Sequence, residues 1–185
     1  SFNLLNGSEQ ILFARVSVFA GSFGLDAVET ICTDESLDAS AAARVLAALV
    51  DKSMVQSTND SADYRVLEPL REFGRDEMRE SERIAVADRH SAWYLDLAER
   101  SAQALGGADE YEAATRLDRE FGNLRAAFSC FAERGAVEQC ARLVVALREY
   151  SFRSMRSEVI AWAEEVTTLA GFDDSPHAPL VLAAA

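Results

Sequence analysis

Lysine, histidine, cysteine and proline are scarce in this 185-residue chain. Lys52 is the only lysine, and there are two histidines, three prolines and three cysteines. Cys32, Cys130 and Cys140 lie far apart and include no C-x-x-C pair. This spacing disfavours a disulfide framework or a zinc ribbon, and it favours reduced, mostly buried thiols in a cytoplasmic protein. No apolar run approaches the roughly 20 residues that cross a bilayer, and no signal peptide is recognisable.

The motifs of common enzyme classes are also missing from the sequence. It contains no G-x-x-x-x-G-K-[ST] phosphate loop, H-E-x-x-H, G-x-S-x-G or dinucleotide fingerprint. His90 shares an apolar helical stripe with Trp93 and Tyr94, which indicates a packed histidine, whereas His177 lies in a proline-rich loop and is expected to be solvated. We therefore expect no enzymatic activity, no metal site and no bound cofactor in this chain.

Acidic residues dominate the charge along the whole length. There are 31 acidic and 18 basic side chains, and the net charge is −13. Residues 1–84 carry 8 basic against 15 acidic side chains, and residues 85–185 carry 10 against 16. Proteins that bind nucleic acid neutralise phosphates with a basic face. The composition therefore disfavours nucleic acid and anionic membranes as direct partners.

The first 84 residues have the order of a winged-helix domain. Ser8 is a candidate N-cap for a first helix, a short second helix follows the glycine-rich stretch at 21–24, and Asp38 or Ser40 can cap a third. The runs SMVQS and YRVLE are strand candidates on either side of the polar turn TNDSAD. We expect Met54 and Val55 to lie opposite Tyr64 and Val66. An exit helix is predicted to open at Pro69.

The remaining residues, 85–185, predict helices only. Helical periodicity and glycine punctuation place segments at 84–105, 111–132, 137–150 and 158–169. Antiparallel helices joined by short turns are typical of a tetratricopeptide-like stack. The fold prediction is thus mainly α, with a winged-helix domain over 1–84 and a truncated helical-repeat domain over 85–185. Because the chain starts at Ser1 and ends on a helical pattern, we expect an excised piece of a longer protein.

One cluster in the helical part combines basic and aromatic side chains, which makes it a candidate groove for a partner. It consists of Arg148, Tyr150, Phe152, Arg153 and Arg156. The other aromatic residues at helical spacing are expected to form the core between helices. Asn123 is expected to make a hydrogen bond between helices or a cap after Gly122, and Arg125 to pair with Glu120 or Asp118.

Three stretches together resemble a known family. The first stretch is ILFARVSVFAGSFGLDAVETIC, the second is DASAAARVLAALVDKSMVQ with YRVLEPLREFGRDEM, and the third is RHSAWYLDLAE with LDREFGNLRAAFSCFAERG. They are similar to the winged-helix and helical-repeat region of STAND-class signal-transduction ATPases. This region occurs in LuxR-type and AfsR-type bacterial transcriptional regulators. The resemblance implies a parent protein with an upstream P-loop domain that binds ATP or ADP. It also implies repeats that sense an inducer or a protein partner.

Relatives of that class place a Met-His-Asp triplet after the second strand, near the bound diphosphate. Here the triplet aligns with Val66, Leu67 and Glu68, and leucine cannot donate a hydrogen bond to phosphate. The resemblance thus leaves Arg65, Glu68 and Arg71 as candidate contacts to the nucleotide domain, or implies a purely structural winged helix.

Two other functions remain open. One is a winged helix that reads DNA, although Arg44 is the only basic residue within the predicted third helix and Lys52 follows its end. The other is a free-standing helical-repeat adaptor. The function that explains domain order, acidity and the missing active site is a non-catalytic regulatory and protein-interaction module that docks on an upstream nucleotide-binding domain.

Overall fold

A computed structural model describes residues 2–58 and 63–185 of the chain. They form two compact units: the N-terminal unit ends at residue 93, and the C-terminal unit covers residues 94–185. Among the described residues, no helix combines the length and apolarity needed for a transmembrane span. The predicted turn between the two strand candidates falls largely on residues 59–62, which lie outside the described residues.

The N-terminal unit has the winged-helix order that the sequence predicts. Its elements are α1 (Gly7–Val16), α2 (Leu25–Ile31), α3 (Ala39–Asp51), β1 (Gln56–Ser57), β2 (Tyr64–Arg65) and α4 (Glu68–Asp76), after a short 3-10 turn at Phe2–Leu4. The long helix α5 (Glu80–Ala104) begins in this unit. Three helices followed by an antiparallel hairpin confirm the winged-helix prediction.

The helix starts follow from local capping chemistry. The N-cap of α1 is Asn6 and not Ser8, because the Asn6 side chain accepts from the amide of Glu9 while the Glu9 carboxylate accepts from the amide of Asn6. This reciprocal capping box satisfies two amides that the helix leaves open. Asp38 caps α3 by accepting from the amide of Ser40. Pro69 lies in the first turn of α4, as predicted.

The register of the hairpin differs from the prediction. Gln56 pairs with Arg65 and Ser57 with Tyr64, so Met54 and Val55 do not lie opposite Tyr64 and Val66. The reason is that the amides of Met54 and Val55 both donate to the carbonyl of Leu49 at the end of α3. Their side chains are buried in the core, and the strand begins only after this turn.

A buried arginine joins three parts of the N-terminal unit. Arg15 of α1 donates to the Cys32 carbonyl after α2, and it forms ion pairs with Asp34 and with Glu82 of α5, each at 2.8 Å. Arg15 is 4% exposed. Because a buried guanidinium is costly without partners, these contacts fix the loop after α2 against α1 and α5.

The C-terminal unit is helical throughout its described residues. It contains the end of α5, then α6 (Glu110–Glu133), α7 (Val137–Ser154), α8 (Ser157–Thr167) and α9 (Ala178–Leu182), with a 3-10 turn at Phe172–Asp174. The helix bounds agree with the predicted segments to within a few residues. Consecutive helices α6, α7, α8 and α9 pack on one another, and α9 also packs on α7.

Aromatic side chains build the core of this unit. The Trp162 ring stacks between Phe121 and Phe128, with centroid distances of 5.6 and 4.7 Å. His90 belongs to the N-terminal unit, where it is buried, at 2% exposure, beside the ring of Phe19, and the packed role predicted for this histidine is confirmed. His177 is only partly solvated, because its Nδ1 lies 2.9 Å from the Glu138 carboxylate.

Two polar predictions within α6 need correction. Asn123 lies in the middle of the helix, so the alternative of a cap after Gly122 is wrong, and its side-chain amide donates to the buried carboxylate of Glu120 at 3.1 Å. Arg125 does not pair with Glu120 or Asp118. It forms a bidentate ion pair with Glu158 of α8, because its position on α6 faces the neighbouring helix.

Candidate DNA-facing and partner-facing surfaces

Helix α3 is the element that a DNA-reading winged helix would place in the major groove. Its exposed residues are Ala39, Ser40, Ala43, Arg44, Ala47 and Asp51. Arg44 is the only basic side chain in this set, and Asp51 stands at its far end. Asp38 adds a further negative charge at the helix N-terminus. The exposed side chains of α3 are therefore mostly small, and they carry no net positive charge.

Lys52, the other basic residue expected near α3, is already bonded within the unit. Its ammonium lies 2.6 Å from the Glu9 carboxylate, which is itself almost fully buried in α1. The pair connects the start of α1 to the end of α3. Since Lys52 would have to leave Glu9 to reach a phosphate, Arg44 remains the one cation on α3 available to DNA.

The candidate contacts to a nucleotide domain lie along β2 and the start of α4. Arg65 of β2 is exposed and donates to the Gln56 side chain at 3.2 Å. Glu68 and Arg71 form a two-bond ion pair on α4, and this pairing lowers the pKa of Glu68. Leu67 is the N-cap residue of α4 and is 41% exposed.

Arg75 of α4 is a basic residue near this surface that the sequence pattern did not single out. Arg75 is half-buried, and burial together with the nearby Arg71 and Arg83 lowers the pKa of its guanidinium. Arg71 and Arg75 lie four residues apart on α4, and that spacing is the signal that could have indicated a basic face on this helix. Glu68 and Glu72 lie on the same helix, so α4 does not form a continuous positive surface.

The candidate groove in the C-terminal unit coincides in part with a pocket of about 360 Å³ between α7, α8 and the end of α9. Arg148, Phe152 and Arg156 line this pocket. Two other residues of the predicted cluster do not. Tyr150 is 1% exposed and lies in the core, whereas Arg153 pairs with Glu149 and Glu110.

Tyr150 and the pocket residue Arg156 are both held by polar contacts to α6. The phenol of Tyr150 donates to Asp118 of α6, and Arg156 also donates to Asp118, at 2.7 Å. Burial, followed by the bond to Asp118, raises the pKa of Tyr150 to about 12. The guanidinium of Arg156 lies 4.2 Å from the centre of the Phe121 ring. Tyr150 and Arg156 therefore attach α7 and the start of α8 to α6.

Most of the aromatic residues outside the cluster lie in the core, as predicted. Tyr94, Phe121, Phe128 and Trp162 are buried, and Trp93 and Phe131 are half-buried. Tyr111 is the exception in the helical unit, at 85% exposure. Among the residues that the structure describes, no group of three or more His, Cys, Asp or Glu is arranged to hold a metal ion.

Comparison with known proteins identifies the N-terminal unit. Residues 5–79 match the model of a winged helix-turn-helix domain. Proteins of Mycobacterium bovis and Mycobacterium tuberculosis, both named "Putative HTH-type transcriptional regulator", are 32% identical to this chain over 169 residues. That alignment covers 90% of this chain and 19% of each relative, so the chain spans about a fifth of their length. No solved structure matches the chain. The chain therefore carries a winged helix-turn-helix domain and is similar to proteins named as transcriptional regulators.

Proposed function

We propose that this chain is a non-catalytic regulatory segment of a bacterial transcriptional regulator, acting in the cytoplasm through protein contacts. In this proposal the winged helix docks on another protein domain, and the helical unit binds a protein partner or inducer. The observation that carries the proposal is the exposed face of α3, where alanines surround a single free cation, Arg44. A DNA-reading helix presents side chains that hydrogen-bond to base edges and phosphates.

We further propose that the docking partner is an upstream nucleotide-binding domain of a STAND-class, LuxR-type parent protein. The sequence resemblance supports this, as does the small share of each relative that the chain covers. ATP or ADP would bind to that domain, with no cofactor held by this chain. Arg65, Glu68 and Arg71 lie on adjacent elements and are the residues proposed to face the domain. The helical unit would be tetratricopeptide-like.

Direct DNA binding is the second candidate, and the comparisons favour it. The winged helix-turn-helix match and the names of the mycobacterial relatives both describe proteins of a class that reads DNA. In that case Arg44 would contact a base or phosphate from α3. The net charge of −13 opposes such binding, because counterion release supplies most of the affinity for DNA.

Fluorescence anisotropy with a labelled duplex of mixed sequence separates the two candidates. At low salt we expect no saturable binding at micromolar protein, and no difference between the natural chain and the Arg44→Ala variant. A tight, steeply salt-dependent affinity that falls at least about tenfold in Arg44→Ala would establish DNA reading instead, because one good base contact has that effect.

Docking is tested with the nucleotide-binding domain of the full-length protein supplied in trans. Ala43→Arg places a large charged side chain on the exposed face of α3, and we expect it to weaken binding at least about tenfold because a buried interface tolerates unpaired charge poorly. Ala161→Arg, at an exposed position of α8, is the matched control and should bind like the natural chain. Absence of any affinity between the two pieces would reject the docking proposal.

A further inference from the structure

The pocket between α7, α8 and the end of α9 has an unusual charge for this chain. Its lining includes two arginines and no carboxylate, in a protein with 31 acidic and 18 basic side chains. Three other pockets formed by the described residues each include acidic lining residues: Asp109 and Glu112, Glu133 and Glu158, or Asp34 and Glu82. The charge of this pocket therefore favours an anionic occupant.

Three apolar side chains around the pocket expose a large fraction of their surface, which favours a large binding partner. Phe152 is 85% exposed, Met155 91% and Ile160 42%. Met155 ends α7 in the left-handed backbone region, with φ of 54°, and this turn carries its side chain away from the core. Aromatic residues, methionine and arginine are enriched at protein interfaces. A small ligand inside the pocket would leave most of Phe152 and Met155 in water, whereas a polypeptide would cover them.

The positive charge of Arg148 beside the pocket is not cancelled by its neighbours. Glu149, next to Arg148 in α7, is bonded to Arg153, whereas Arg156 is already paired with Asp118. Within the described part of the chain, Arg148 is exposed and has no ion-pair partner. Arg148 can therefore form an ion pair with a carboxylate of another molecule without losing a contact within this chain.

We propose that this pocket binds an acidic amphipathic helix of a partner protein. The apolar side chains of that helix would pack between Phe152, Met155 and Ile160, while a carboxylate of the helix pairs with Arg148. A helix fits better than an extended peptide, because the described residues of this unit present no strand edge that an added strand could pair with. The inference rests on the proposed role of the helical unit in binding a partner, and it specifies the chemistry of that partner.

Two synthetic helices of about 18 residues provide the test, with leucines at positions i, i+3, i+4 and i+7 of each repeat. One carries glutamate at the remaining positions and the other lysine. By isothermal titration calorimetry we expect the acidic peptide to bind the natural chain at least about tenfold more tightly than the basic one. Phe152→Ser and Arg148→Glu should each reduce affinity for the acidic peptide about tenfold, and Arg148→Glu should also reduce the preference for it.

Matched controls separate the pocket from general surface effects. Tyr111→Ser removes an aromatic ring that is exposed to the same 85% as Phe152, and Arg134→Glu makes the same charge change as Arg148→Glu at an exposed position outside the pocket lining. Both should leave peptide affinity unchanged. Circular dichroism should show that all four variants remain folded, because each replaces an exposed side chain.

Several results would overturn the inference. These are equal affinity for the two peptides, no binding of either, or binding that survives both Phe152→Ser and Arg148→Glu. Sedimentation that shows a dimer of the natural chain, dissociated by Phe152→Ser, would assign the surface to a second copy and equally reject the inference. None of these results bears on DNA or on α3, so failure here leaves the docking role of the winged helix to its own test.

Discussion

Gly74 is the position where replacing a hydrogen by a methyl group should reveal how closely α4 packs on α1. A Cβ added at Gly74 would lie 3.0 Å from Cβ of Ser17, 3.2 Å from the carbonyl oxygen of Phe13 and 3.4 Å from the ring of Phe13. Favourable contacts between carbon atoms occur at about 3.5–4.0 Å. We therefore expect Gly74→Ala to force the two helices apart.

Two opposing effects set the size of the change. Alanine is favoured over glycine inside a helix by about 1 kcal/mol. Forcing an extra methyl group into a well-packed site costs about 1–3 kcal/mol. One of the contacted atoms belongs to the backbone of α1, and the Phe13 ring is fully buried, so neither can move aside as a flexible side chain would. We expect the packing effect to prevail, with a net loss of about 1 kcal/mol.

Gly7 supplies the control within the same unit. It is the first residue of α1, is exposed, and a Cβ added there meets no atom within 4 Å. Gly7→Ala should stabilise the protein by about 0.5 kcal/mol, because alanine restricts the unfolded chain without strain. Urea unfolding followed by circular dichroism measures both variants, and the shift in midpoint at constant slope gives the change in stability.

The sign of the stability change in Gly74→Ala shows whether packing against α1 or helix propensity dominates at this position. If Gly74→Ala raised the unfolding midpoint as much as Gly7→Ala, then helix propensity would dominate. The close approach of α4 to Phe13 and Ser17 would then be absent in solution. A loss of stability in Gly74→Ala beside a gain in Gly7→Ala supports the packing described here.

Two further predictions concern titration and thiol reactivity. The hydrogen bond and charge of Arg15 hold the pKa of Asp34 well below its usual range, so Asp34 contributes stability above a pH of about 4 and loses it as the pH falls further. The urea midpoint of the natural chain should therefore exceed that of Asp34→Asn at pH 7, and the gap should narrow towards pH 3. A constant gap would argue against this ion pair. Burial raises the pKa of Cys32 and Cys140 to about 12, whereas Cys130 is partly exposed. A disulfide reagent at pH 8 should modify Cys130 first and reach the other two thiols only after unfolding. Rapid modification of all three thiols in the folded protein would refute this.

Helix positions were predictable because the chain carries strong local signals. The spacing of apolar residues located the helices of both units, and Asp38 and Pro69 were recognised as start signals. The cap of α1 was assigned to Ser8 because serine is a common N-cap residue. The sequence Asn6-x-x-Glu9 contains the same information, and reading it as a capping box would have given the correct residue.

Contacts between elements were harder to predict, because sequence spacing does not determine which side chains meet across helices. Arg125 was assigned to acidic residues of its own helix, but it bonds to Glu158, 33 residues further along the chain. In the candidate groove, too, the sequence did not show which side chains reach the surface. Phe152 and Tyr150 are two residues apart in one helix, so they point in different directions, and only Phe152 reaches the surface.

The bond between Lys52 and Glu9 has a practical consequence for labelling experiments. Reagents that modify amines, and enzymes that acetylate lysine, have a single lysine side chain to act on in this chain. That ammonium joins the end of α3 to the start of α1 through an almost fully buried carboxylate. Removing its charge would leave Glu9 without its cation. A dye or tether attached there would report on a perturbed winged helix, so the partly exposed thiol of Cys130 is the better handle for this protein.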